Sequence, residues 1–131
     1  MPSEKRQFGD TGEEFAVNFL KAKGYKILDR NWLIKGGEID IVAAKTSGLF
    51  NQKIEEIIFV EVKSARGGNT ALAAQNVHYF KQRRLIKTAQ MYLAANKCLN
   101  LPWRIDVLLV DYDSFSRTAK IEHLENAVWG K

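Results

Sequence analysis

Two short strings constrain this chain most: Gly37-Glu38-Ile39-Asp40-Ile41 and Phe59-Val60-Glu61-Val62-Lys63. Each reads as an apolar β-strand that carries charge inside it. Successive side chains of a strand point to opposite faces, so Glu61 and Lys63 share a face with Phe59, while Val60 and Val62 take the other. The same alternation sets Ile39 and Ile41 on the face opposite Asp40. Charges on otherwise apolar strands are costly unless something uses them. Two carboxylates can hold a divalent cation through oxygen, and a nearby ammonium can stabilise anionic oxygen or help activate water. That combination suits cleavage of a phosphodiester.

The intervening chain brings the two strings together. Lys45-Thr46-Ser47-Gly48-Leu49-Phe50-Asn51-Gln52-Lys53 is rich in turn formers. A reversal near Phe50 and Asn51 would set Asp40 opposite Glu61, with Cβ atoms about 5 Å apart, near enough to share a cation. The inference depends on register, because a slip of one residue turns one carboxylate to the other face.

Around this hairpin the chain predicts a helix over about Thr11–Lys23, where Thr11 and Glu14 match a capping box and Gly24 supplies the stop. A strand follows over about Tyr25–Ile34, then the two strands above, over about Glu38–Ala44 and Ile54–Ser64. Gly67-Gly68-Asn69 breaks the pattern. A long helix starts at Ala71 or nearer Val77 and ends at Ala95; Val77, Phe80, Leu85, Ala89, Tyr92 and Leu93 supply its apolar positions. Strands over Trp103–Val110 and about Ala119–Leu124 complete an α-β-β-β-α-β-β order. Three strands joined as a meander, a crossover helix and two more strands imply an α/β fold, with a mixed five-stranded sheet and a helix on each face.

With 131 residues, 46% of them hydrophobic, the chain fits one folded domain spanning 1–131 with a real core. No apolar run approaches the roughly 20 residues that span a membrane. Met1–Arg6 lacks the apolar stretch of a secretory signal. Cys98 stands alone, so no internal disulfide forms, which fits a reducing cytoplasm. Nothing in the sequence brings His78 or His123 to Cys98 to make it a nucleophile. A net charge of +5 suits a polyanionic partner such as nucleic acid, although many small proteins are mildly basic.

At these residues the chain resembles the YraN family of bacterial endonuclease-like proteins, which belongs with the Holliday junction resolvase-like branch of the PD-(D/E)XK nuclease superfamily. The resemblance runs through Gly9-Asp10-Thr11-Gly12-Glu13 with Ala16 and Leu20, Gly24-Tyr25, Arg30-Asn31 and Gly37-Glu38-Ile39-Asp40. It continues with Phe59-Val60-Glu61-Val62-Lys63, Lys81 with Leu85, Arg104-Ile105-Asp106-Val107 and Asn126-Ala127. It implies a restriction-endonuclease-like core in which Asp40, Glu61 and Lys63 take the nuclease motif positions. Glu13, on the first helix, would supply the extra acid that resolvases bring to the metal. The family's basic residue two positions beyond the motif lysine is Ala65 here; Arg66 falls one later, which on a regular strand would turn it to the other face, while a bulge or the strand end near Gly67 would restore it as a nucleic-acid contact. Paired cuts in a symmetric junction would require a second copy, so a homodimer is expected from the same resemblance.

Each candidate has a plainer alternative. Asp40, Glu61 and Lys63 could lie on a solvated face, with Glu61 and Lys63 forming a weak surface pair. Read as a site, Asp40 and Glu61 bind Mg²⁺ or Mn²⁺ with the Val62 carbonyl as a further ligand, and Lys63 orients or activates water and stabilises developing charge. Glu38 shares the face of Asp40, as a second ligand or as part of a solvated strand end. Glu13 could merely favour a helix N-terminus. Lys81, Arg84 and Lys87 recur every three residues in a run without an acid, which suits phosphate contact as well as a solvated helix face. Arg104 and Asp106 share one strand face and read better as an ion pair supporting the core. Trp32, Trp103 and Trp129 read better as core than as stacking platforms.

The sequence therefore points to a metal-dependent endonuclease acting on structured or branched DNA, with RNA as an open alternative. A catalytically weak module of the same fold that binds nucleic acid or a DNA-processing partner also stays open, as does an interaction protein that kept the fold for assembly.

Overall fold

The computed structural model describes residues 4–65 and 79–128. Its elements are α1 (Glu4–Ala22), β1 (Lys26–Ile34), β2 (Gly37–Ser47), a 3₁₀ turn (Leu49–Asn51), β3 (Lys53–Ala65), α2 (Tyr79–Ala95), β4 (Trp103–Asp113) and β5 (Thr118–Leu124). The element order is the expected one. The five strands lie in sheet order β1-β2-β3-β4-β5. β1, β2 and β3 form an antiparallel meander, β3 and β4 run parallel, and β5 returns antiparallel to β4. A parallel pair needs a long crossover, which the chain from β3 through α2 to β4 supplies. The Gly67-Gly68-Asn69 break, the helix starts at Ala71 or Val77, and Arg66, His78 and Trp129 lie outside the described residues.

Each helix covers one face of the sheet. Ala16, Val17 and Leu20 of α1 pack with Ile41, Ile58, Val60, Leu108 and Val110. Leu85, Ala89 and Leu93 of α2 pack with Val42, Ile57, Phe59 and Ile105, and the half-buried Trp32 and Trp103 pack against that core. β3 and β4 are thus buried on both faces, which is why Ile57–Val60 and Val107–Val110 read as unbroken apolar runs.

Three expectations need correction. First, α1 begins at Glu4, not Thr11, so Thr11 and Glu14 lie inside the helix and form no cap. A capping box is a local signal, and between Glu4 and Asp10 only Gly9 opposes helix, at about 1 kcal/mol. Gly24 does end the helix. Gly24 has φ 91°, and Tyr25 N–H donates to the Leu20 carbonyl while Gly24 N–H donates to that of Lys21, a Schellman closure. Second, β2, β3 and β4 each run further than their hydrophobic stretches, because ladder pairing carries them into polar residues.

Third, Ile39 and Ile41 do not share a face. Ile41 packs in the α1 core and Ile39 in the α2 core. The alternation fails in β1 as well. Arg30 pairs with Glu14 of α1 at 2.7 Å, whereas Trp32 stacks edge-on against Tyr92 of α2. Between them Asn31 adopts a left-handed φ of 51°, a conformation Asn tolerates better than most residues. Arg30 faces Ile41 and Trp32 faces Ile39 across the ladder, so the irregularity spans Asn31 and Asp40 together.

The expected Arg104–Asp106 pair is present and is the hub of a buried network. Asp106 accepts from Arg104 Nε at 2.9 Å and Nη2 at 3.1 Å, from His123 Nε2 at 2.7 Å and from Asn126 N–H at 2.8 Å. Arg104 Nη2 also donates to the Tyr25 hydroxyl at 3.0 Å. His123 Nδ1 accepts from Lys23 at 2.8 Å, so His123 serves structure here.

Candidate active site

The β2–β3 register decides whether the two acids meet. Ile41 pairs with Val60 and Val42 with Phe59. Continued by one residue, that register sets Asp40 against Glu61. Val62 N–H donates to Asp40 Oδ2 at 2.8 Å across the gap between the strands. An extended residue directs its carbonyl to the same side as its N–H, so the Val62 carbonyl also faces β2. The hairpin closes through a bulge between Lys45 and Thr46 and left-handed residues at Gly48, Phe50 and Asn51.

A cleft of about 200 Å³ opens between the start of β2, β3 and α2. Glu38, Asp40, Glu61, Lys81 and Arg84 line it, over a floor where Gly37 meets Thr88. A Cβ at Gly37 would fall 2.1 Å from Thr88 Oγ1 and 3.2 Å from its Cβ and Cγ2, so this glycine lets the helix approach the strand. Thr88 is buried, and its hydroxyl is tied at 2.7 Å to the Arg84 carbonyl.

Glu61 is 7% exposed and accepts from two lysines on one oxygen. Lys81 Nζ lies 2.7 Å from Oε1, and Lys63 Nζ lies 3.4 Å from the same atom. Burial, followed by the negative charge of Glu61, pushes the Asp40 carboxyl from 3.8 up to about 8; Glu13 adds to the rise, while the Val62 N–H opposes it. Burial, then the neighbouring Lys81, pulls Lys63 below the ordinary lysine value, against the attraction of Glu61. Lys81 goes the other way. Burial works against its charge, but hydrogen bonds to Glu61 and Lys63 and the charges of Glu61 and Asp40 outweigh that and raise it.

The structure brings Asp40, Glu61, Lys63 and Lys81 together, with Glu38 and Arg84 lining the same cleft. Lys87 lies exposed on α2. Glu13 is close enough to Asp40 to act on it by charge. With its amide oriented to donate, Asn31 Nδ2 lies 3.2 and 3.3 Å from the two Glu13 oxygens. Among the described residues, no three Asp, Glu, His or Cys side chains converge closely enough to hold a metal ion. Two contributions escaped the sequence reading. Lys81, read as an outward phosphate contact, points at Glu61; its acid-free surroundings along the helix were the available signal. Asn31 braces Glu13, and it entered the sequence reading only within Arg30-Asn31 of the family resemblance.

Fold and cleft define a class: an α/β protein with a mixed five-stranded sheet and a buried acid pair held by lysines from a strand and a helix. The sequence model of "Uncharacterised protein family UPF0102" matches residues 12–110, and the chain belongs to that family, which is the YraN family of the resemblance above. Curated UPF0102 proteins are similar over nearly their whole length. The one from Roseiflexus castenholzii is 36% identical over 129 residues, 98% of each chain. The one from Clostridioides difficile is 38% identical over 122 residues, 93% of this chain and 96% of the relative. The one from Myxococcus xanthus is 34% identical over 126 residues, 96% and 92% respectively. No helix among the described residues is long and apolar enough to cross a membrane.

Proposed function

We propose that this protein is a Mg²⁺- or Mn²⁺-dependent endonuclease of the PD-(D/E)XK type, acting on structured or branched DNA. The observation that carries the reading is the antiparallel β2–β3 pairing that confronts Asp40 with Glu61 in one cleft while Lys63 reaches Glu61 from the same strand. The donor set fits a hard divalent cation: two carboxylates and a backbone carbonyl are oxygen ligands, and a buried acid pair is relieved by positive charge between its members. Asp40 and Glu61 would hold the ion, with the Val62 carbonyl beside them and Glu13 as an outer acid. When bound, such an ion polarises a phosphate and lowers the pKa of water. Lys63 then orients the attacking water and stabilises charge on the phosphate oxygens. Arg84 and Lys87 lie along α2 where a phosphate backbone would pass, and Arg66 joins them on sequence grounds alone. The preference for branched DNA rests on the resolvase likeness, as does a homodimeric form; a cytoplasmic site of action is the reading that the lone Cys98 fits.

One observation favours a second reading. Lys81 already neutralises Glu61 at 2.7 Å, and no three-ligand cluster exists among the described residues. A module that binds nucleic acid with weak or lost cleavage would have such a site. Labelled single-stranded, duplex, flap and four-way-junction DNA, and duplex RNA, should be incubated with Mg²⁺, Mn²⁺ or EDTA. Metal-dependent cutting is expected in the wild type and absent in Glu61→Gln and Lys63→Ala, with binding retained. Arg84→Ala combined with Lys87→Ala should weaken binding and flatten its salt dependence. Binding without cutting, under every metal, would leave the module reading; cutting that survives in both site variants would overturn the assigned residues.

A further inference from the structure

Lys81 occupies a telling position. Its ammonium lies 2.7 Å from Glu61 Oε1, within reach of the Asp40 charge, in the same cleft that both carboxylates line. A cation shared by Asp40 and Glu61 would have to sit in that space. A divalent cation there would be repelled by the Lys81 ammonium, since a partly buried cleft screens like charges poorly. The two lysines differ in what holds them. Lys63 rises from β3 on the same face as Glu61, its side chain 19% exposed. Lys81 reaches in from α2, its side chain 34% exposed, on a flexible four-carbon stem with solvent beside it. Arg84, three residues on, is its neighbour on the helix surface and lines the same cleft.

We propose that Lys81 is a resident counter-ion of the acid pair, which an entering divalent cation displaces outward to stand beside Arg84 as a second phosphate contact. The inference rests on the nuclease reading and adds to it a coupling: the cleft exchanges its own cation for a divalent one, and the released ammonium strengthens the grip on the substrate backbone. Lys81 is thus a positioning residue whose place reports occupancy of the site. Metal and polyanion should consequently bind with positive cooperativity, each favouring the state in which Lys81 has left Glu61.

The probe is the metal alone. Mn²⁺ binding to the full chain should be measured by electron paramagnetic resonance and calorimetry for the wild type, Lys81→Met and Lys81→Gln; the second keeps an N–H donor for Glu61. Removal of the competing charge should tighten Mn²⁺ by at least about fivefold in both variants. Independently of any variant, reductive ¹³C-methylation of the wild type, which preserves lysine charge, gives each lysine a methyl resonance, with that of Lys81 assigned by its loss in Lys81→Arg. On addition of Mg²⁺ that signal should move to the position of a solvent-exposed lysine while the Lys63 signal stays shifted. A wild type that binds Mn²⁺ with an unmoved Lys81 signal, or with unchanged affinity in the folded variants, would overturn the displacement and leave the nuclease reading standing. No Mn²⁺ binding in any of the proteins would overturn both.

Discussion

Asp40 meets two opposing demands. The Val62 N–H at 2.8 Å favours its charged form, while burial and the adjacent Glu61 favour the neutral one and prevail, at about 8. A carboxyl whose folded value lies above its unfolded value of 3.8 contributes stability in full below about pH 4, and that contribution is lost as pH rises through 8. In EDTA the wild type should therefore lose thermal stability across this window. Asp40→Asn, isosteric and uncharged, should flatten the slope and melt higher than the wild type at pH 8. Melting curves at several pH values test this; identical slopes in the two proteins would mean that Asp40 ionises freely in the fold. Mg²⁺ at pH 8 should raise the melting temperature of the wild type more than that of the variant.

At the scale of elements, the cleft depends on how closely α2 lies against the start of β2. Gly37 and Thr88 set that distance. Thr88 cannot swing aside cheaply, because it is buried, β-branched and hydrogen-bonded to the Arg84 carbonyl. In Gly37→Ala the methyl group must push the helix outward, at a cost of about 1–3 kcal/mol as for other overpacked sites. The same shift would draw Lys81 away from Glu61. Urea unfolding should show the loss, and Thr88→Ser, which removes the Cγ2 methyl, should recover part of it in the double variant. A wild-type midpoint in Gly37→Ala would show that the helix yields without cost. α1 serves the site differently. Its Gly12 abuts Ser64 so closely that a Cβ would fall 2.0 Å from the Ser64 hydroxyl, and the next residue, Glu13, reaches Asn31 and the field of Asp40.

Across the whole molecule, stability and candidate chemistry sit in different places. The Asp106 hub ties Arg104 of β4, His123 of β5, Asn126 beyond β5 and, through Arg104, Tyr25 at the end of α1 into one buried unit. Asp106 is fully buried, and its removal takes from the Arg104 guanidinium its bidentate acceptor, leaving Glu56 at 3.3 Å and the Tyr25 hydroxyl at 3.0 Å. Asp106→Ala should cost about 3–5 kcal/mol, the range for breaking one side of a buried ion pair. Denaturant unfolding with an unchanged slope is the check, and a loss below about 1 kcal/mol would reduce the hub to a surface-like pair. By contrast, the lysines around Glu61 balance a charge that folding alone does not require, since an apolar residue could fill that position.

The sequence by itself determined the order of elements, the mixed sheet and the pairing of the two acid-bearing strands. These follow from short apolar runs, from Gly24 as a stop, and from a hairpin whose residue count sets Asp40 against Glu61, all of them signals local to the chain. It also carried the Arg104–Asp106 pair, two residues apart on one strand face. The tertiary structure alone decided three things. It extended α1 back to Glu4, because a cap signal inside a sequence does not prevent helix on its N-terminal side. It split Ile39 from Ile41, because a left-handed Asn31 on the neighbouring strand breaks the pleat. It turned Lys81 inward, because the direction of a helical lysine is set by where the helix docks, and a buried carboxylate on another element draws it there. Charge–charge contacts between distant elements have no period, and only the packed fold brings them within reach.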